Sequence, residues 1–140
     1  MSDQALSSVQ TEALFYQSLR DLDIGLMSEV WSRLEEVFCI HPGGQLLSGF
    51  EAVRKSWADI ISAADPPVID YRVMHIRVAG ELAVHLVEEQ IRPSGSQAHH
   101  ARVLATNVYA RENERWHMLS HHASLPLIGP AKVETVRKMH

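Results

Sequence analysis

Nine of the 140 residues are histidine. An imidazole with a pKa of ~6.5 can give or take a proton at neutral pH. His41 is the best placed of them. It closes a short β-like run at 37–41 and is followed by Pro42-Gly43-Gly44, which cannot continue a regular strand. A side chain at such a break can look into a cavity mouth, so His41 is the candidate general acid or base. The plainer alternative is a histidine that hydrogen-bonds its own turn. His121 and His122 are neighbours on a strand and must point to opposite faces. Strict alternation groups His122 with Trp116, Met118 and Ser120, and His121 with His117 and Leu119. On that grouping His122 is a candidate ligand contact. His117 and His121 stand about 13 Å apart along the strand, too far to share a metal, so neither a metal site nor a cofactor is expected.

Other candidates come from polar and aromatic residues at element ends and mid-strand. Trp57 lies on the inner stripe of a helix, and Trp31 closes another just before the His41 run. Each is either core or a ligand-contacting wall, with an indole N–H that wants a partner when buried. Asn107 could orient a polar group of a ligand or satisfy a bulge. Glu88-Glu89 places one acid on each face of a strand. One of them buried beside a histidine would make a proton-transfer pair; the alternative is an exposed strand pair. Cys39 is the sole cysteine, which excludes an intrachain disulfide and a Cys-rich zinc site. Gly43-Gly44 follows a proline with no lysine to complete a phosphate loop, and there is no Gly-x-Ser-x-Gly elbow.

The elements that must position these residues change character at Pro67. Before it the chain reads helical. Asp3 could cap a first helix whose inward line is Leu6, Val9, Ala13 and Tyr16, widened by Leu14, Phe15, Leu19 and Leu22. Asp23 is placed to cap a short second helix reaching Trp31. Ser48-Gly49-Phe50-Glu51 fits a capping box, and Phe50, Val53, Trp57, Ile60 and Ala64 form the stripe of a third helix, ended by Asp65-Pro66-Pro67. After Pro67, runs rich in Val, Ile and Tyr at 68–79, 81–92, 99–111 and 115–124 predict four long strands. They are joined by turns at Gly80, at 93–96 and at 112–114, as in an antiparallel meander. Helices first and sheet second is α+β by segregation. A sheet this long needs one face covered, and the helices cover only part. The remainder must close on a pocket, a partner subunit, or both.

Length and composition fit one domain with its own core, here 1–125, followed by a C-terminal tail at 126–140. Apolar residues are 46% and charged residues 21%, which excludes wholesale disorder. The net charge of −4 offers no basic field for nucleic acid or anionic lipid. No apolar run reaches the ~18–20 residues of a membrane helix, and Met1-Ser2-Asp3-Gln4 opens no secretory signal, so a cytoplasmic protein is the expectation.

The order of these segments, with Phe15-Tyr16, Leu22-Asp23, Val30-Trp31, Cys39-Ile40-His41-Pro42-Gly43-Gly44, Ser48-Gly49-Phe50-Glu51-Ala52-Val53, Trp57, Thr106-Asn107-Val108-Tyr109, and Trp116 with His121-His122-Ala123-Ser124, resembles the nuclear transport factor 2-like superfamily, and especially its SnoaL-like branch. The resemblance spans about residues 10 to 125. It implies a cone: three N-terminal helices packed on a strongly curved, mostly antiparallel sheet with an internal pocket. It also implies a homodimer through the outer sheet face. Ketosteroid isomerases of this superfamily carry an Asp-Pro where this chain has His41-Pro42, and that aspartate is their general base. They use a helix-1 tyrosine as oxyanion donor. Aligned on Asp23, Phe15 takes that place here, and Tyr16 stands one residue on, about 100° around the helix.

These readings converge on a small-molecule-binding domain whose ligand is apolar or partly oxygenated. His41 is its candidate catalytic residue, and Tyr16, Trp31, Trp57, Asn107 and His122 are its candidate ligand contacts. The alternatives are an isomerase, cyclase or dehydratase using His41, and a non-catalytic association module with a collapsed pocket.

Overall fold

The computed structural model describes residues 7–93 and 101–125. Helix α1 covers Ser8–Arg20, α2 Ile24–Val30 and α3 Phe50–Ile61. The strands are β1 Phe38–Ile40, β2 Leu47–Ser48, β3 Pro67–Ala79, β4 Leu82–Pro93, β5 Ala101–Glu112 and β6 Arg115–Ser124. They form one six-stranded sheet in the order β2-β1-β6-β5-β4-β3. Every pairing is antiparallel except β1 with β6. Bulges interrupt the ladder at Val73/His75 and at Val108/Tyr109, and such extra residues bend a strand and increase its twist. Three helices on a curved open sheet is the α+β cone expected of the sequence.

The helices begin and end for local reasons. Ser7 caps α1 with a reciprocal capping box to Gln10; Asp3, named above as a cap, lies outside the described residues. Asp23 caps α2 by accepting from the Leu26 amide at 3.0 Å. The box expected at Ser48 and Glu51 does not form. Ser48 belongs to β2, and the N-cap of α3 is Gly49 at φ 91°, with no side-chain cap bond. That backbone conformation suits glycine and strains other residues. Helix α3 stops at Ile61, ahead of the prolines.

The inward face of α1 also departs from its apolar pattern. Val9 is half exposed and Ala13 exposed, while Thr11, Glu12, Phe15, Tyr16 and Leu19 are buried. Polar side chains are inward because β4, β5 and β6 supply hydrogen-bond partners for them. Beside this polar patch lies an aromatic core. Phe15 meets Tyr16, Trp31 and Trp57 edge-on, with centroids 4.8, 6.4 and 5.3 Å apart. Such pairs add about 0.5–1.5 kcal/mol each beyond the area they bury. The turn at 93–96, His99-His100 and the tail at 126–140 fall wholly or partly outside the described residues.

Candidate active site

A cavity of about 590 Å³ opens between α3 and the inner face of the sheet. Its walls are largely apolar: Leu19, Trp57, Ile60, Ile69, Ile91 and Val103. Four titratable side chains interrupt them: His41, Glu89 and His121, and at the rim the exposed Asp59, which pairs with Lys55. A concave, mostly apolar volume with a few convergent polar groups is the form of a small-molecule site.

Glu89 comes from the middle of β4, where alternation turns it inward and Glu88 outward. Glu89 is 2% exposed, whereas Glu88 pairs with Arg72 and Arg102 on the surface. Burial pushes the Glu89 carboxyl up to about 7, and the nearby Glu12 pushes the same way. The Tyr16 hydroxyl opposes this by donating to Glu89 Oε2 at 2.5 Å. The carboxyl can therefore hold or release a proton near neutrality.

His121 reaches the same cavity from β6. It is 2% exposed, and its Nε2 lies 4.0 Å from Glu89 Oε2. Burial holds its imidazole down to about 3, with His41 and His122 adding to the effect, so the ring is neutral at physiological pH. Its Nδ1 lies 2.6 Å from Asn107 Oδ1. Asn107 in turn donates through Nδ2 to Glu12 Oε2 at 3.0 Å and to the Tyr16 hydroxyl at 3.1 Å. Glu12 also accepts from the Tyr109 hydroxyl at 2.7 Å and from His85 Nδ1 at 2.9 Å. Burying so many polar groups is tolerable because each finds a partner.

His41 sits on the cavity wall with Nε2 2.9 Å from Ser56 Oγ, and burial lowers its pKa from 6.5. Trp57 stands against both imidazoles, with centroids 4.6 Å from His41 and 5.5 Å from His121. Its indole Nε1 is buried and makes no hydrogen bond of ordinary length. Burial pushes the Cys39 thiol up to about 12, an effect that the nearby Trp57 indole opposes. Such a thiol is inert as a nucleophile at neutral pH.

Of the residues named from the sequence, His41 and Trp57 thus line the cavity. Tyr16 and Asn107 stand behind its wall, holding Glu89 and His121. Trp31 is 1% exposed in the core, where its Nε1 donates to Met27 Sδ at 3.4 Å, and it is not a cavity wall. His122 is on the opposite face of the sheet, exposed, beside Met74, Leu86 and Leu104. The correction has a physical cause. Val108 pairs with Ser120 but Tyr109 pairs with Met118, so Leu119 is an extra residue on β6. The bulge resets the alternation, and Met118, His121 and Ala123 share the inner face. Glu12 was missed, because a glutamate on a first helix reads as solvent-facing and its partners lie 73 to 97 residues away.

Ser8, His85 and Glu12 are also in line, with Ser8 Oγ 3.0 Å from His85 Nε2. The spacing is that of a nucleophile, a base and its orienter. Ser8 borders neither the inner cavity nor the outer hollow, so the chain serves to anchor Glu12. Among the described residues no group of three or more His, Cys, Asp or Glu is arranged to hold a metal. No helix among them is long and apolar enough to cross a membrane.

A family model for the SnoaL-like domain matches residues 9–128. The chain belongs to the SnoaL-like family. This SnoaL-like chain is 30% identical over 130 residues to the F-box protein SKIP8 of Arabidopsis thaliana, covering 93% of this chain and 53% of that protein. It thus spans about half the length of that curated relative. Among solved structures, a candidate calcium/calmodulin-dependent protein kinase type II association domain from Thiobacillus denitrificans superposes with a TM-score of 0.78 at 29% identity, covering 89% of this chain and 98% of that one. A candidate dehydratase of the NTF2-like family from Streptomyces avermitilis does so with a TM-score of 0.74 at 29% identity, covering 84% and 92%. An NTF2-like protein of unknown function from Pseudomonas putida, at 19% identity, 88% and 87% coverage and a TM-score of 0.70, shares the fold.

Proposed function

We propose that this SnoaL-like domain binds a largely apolar, partly oxygenated small molecule in the inner cavity and moves a proton on it, as a dehydratase or isomerase does. One observation carries the reading: the Glu89 carboxyl and the His121 imidazole stand 4.0 Å apart on the wall of one apolar cavity. A carboxyl poised near 7 can take and give a proton at neutral pH, and the neutral imidazole beside it, held at about 3, can orient the ligand. In a β-hydroxy ketone, ionised Glu89 would take the α-proton and pass it to the departing hydroxyl, which His121 orients, leaving an enone and water and Glu89 ionised as before. His41, on the same wall, is a second group in reach of a ligand. The likeness to a candidate dehydratase agrees with this chemistry. A purely associative module would have no use for an open cavity.

The test is enone formation from 4-hydroxy-4-phenylbutan-2-one, followed by its ultraviolet absorbance. The wild-type protein should outpace Glu89→Gln and His121→Phe by at least tenfold. Equal rates in all three would remove proton transfer from the reading.

We also propose a homodimer through the outer sheet face. Met74, Leu86 and Leu104 are each about 40% exposed there, lining a hollow of about 320 Å³ together with His75 and His122. A patch of this kind on one sheet face favours association. Sedimentation of the wild type against Leu104→Glu tests it, with a dimer expected to become a monomer.

A further inference from the structure

We infer that the cavity is built for a ligand that gives hydrogen bonds, an uncharged alcohol whose hydroxyl rests on His121 Nε2, and that Asn107 is the positioning residue which keeps that nitrogen free. This rests on the inner cavity being a ligand site and adds the chemistry of what it takes.

Glu12 receives hydrogen bonds from Tyr109, from His85 and from Asn107 Nδ2, so the Asn107 amide must turn its NH₂ toward that carboxylate. The second N–H of the same group goes to the Tyr16 hydroxyl, whose own proton is committed to Glu89. Asn107 Oδ1 is left facing His121 Nδ1 at 2.6 Å. An amide oxygen only accepts, so Nδ1 must carry the hydrogen. A neutral imidazole has one such hydrogen, and Nε2 therefore offers a lone pair.

His41 reaches the same state by another route. The Ser56 hydroxyl donates to the Val53 carbonyl at 2.7 Å, so its oxygen accepts from His41 Nε2–H at 2.9 Å. Nδ1 of His41 is then its bare nitrogen. Above neutrality the ionised Glu89 accepts as well. The cavity wall thus offers acceptors at His121 and, above neutrality, at Glu89, and these want a donor; the Trp57 indole N–H, buried with no hydrogen bond of ordinary length, is a donor on the same wall. A hydroxyl can give its hydrogen to Nε2 and still accept through its oxygen, where a ketone only accepts.

Two measurements test the proposal. The first needs no ligand. Nitrogen-15 NMR of imidazole-labelled wild-type protein, with His121 assigned by loss of its signals in His121→Phe, should find Nδ1 protonated and Nε2 bare. In Asn107→Leu the two forms should mix. A protonated Nε2 in the wild type overturns the proposal whether or not the variant folds. The second is calorimetric binding at pH 8 of 1-indanol, 1-indanone and indane. The alcohol should bind about tenfold tighter than the ketone, the scale of one neutral hydrogen bond. Equal or better binding of the ketone overturns the preference while leaving the cavity a ligand site. Binding of none of the three removes the ligand site itself, and the preference with it.

Discussion

Replacing Glu89 with glutamine should make the protein more stable, by an amount that grows as pH rises above 4.5 and is complete above 7. Glutamine keeps the shape and still accepts from the Tyr16 hydroxyl, but it cannot ionise. In the wild type the folded chain holds the Glu89 carboxyl at about 7 against its ordinary 4.5. Below 4.5 the group is protonated in both folded and unfolded chains and contributes nothing. Between 4.5 and 7 the unfolded chain ionises freely while the folded chain keeps its proton, so stability falls as pH rises. Above 7 the penalty is complete, at about 3 kcal/mol. The advantage of Glu89→Gln should therefore be near zero at pH 4 and about 3 kcal/mol at pH 8, or roughly 10 °C in Tm for a domain of this size. Urea unfolding of both proteins at the two pH values gives the comparison. An advantage that is the same at pH 4 and pH 8 would refute the assignment of a buried, neutral-leaning carboxyl.

Tyr16→Phe should cost about 2 kcal/mol in urea unfolding, because Glu89 and Asn107 each lose a buried partner; a loss under 0.5 kcal/mol would contradict the hydrogen bonds. Glu12→Leu strands the Tyr109, Asn107 and His85 donors and should cost about 3–5 kcal/mol, to be read by the same method. Acid should destabilise the wild type through His121. Its folded value of about 3 lies below its ordinary 6.5, so stability is full above 6.5 and falls as pH drops toward 3. His121→Phe should flatten that limb, and an unchanged acid limb would count against burial of the ring. His122→Ala should leave 1-indanol affinity within twofold of the wild type, whereas His121→Ala should weaken it about tenfold.

Much of the frame can be read directly in the chain. The four long strands are legible because their Val, Ile and Tyr runs are interrupted by turn residues, and α3 because its stripe is apolar. The inner face of α1 is not legible, since Thr11 is polar for a partner on β6 and Glu12 for partners on β4 and β5 that no local pattern announces. Glu89 is half legible. Alternation says that one of Glu88 and Glu89 turns inward, and only the register of β4 says which. The exchange of His121 for His122 comes from one inserted residue at Leu119, and a bulge leaves no reliable mark in a single sequence. His41 is legible as a candidate at a cavity mouth because Pro42 breaks a strand, and Trp57 only as an inward residue of the α3 stripe, core or wall. A local rule that fails tends to do so where polar groups are buried for a purpose, as on α1 here.

The measurement that bears most directly on the proton-transfer cavity is an NMR titration of the Glu89 side-chain carboxyl carbon, in the free protein and with saturating 1-indanol. The midpoint should be about 7 in the free protein and displaced when the alcohol is bound. A midpoint at the ordinary 4.5, indifferent to the alcohol, would contradict it.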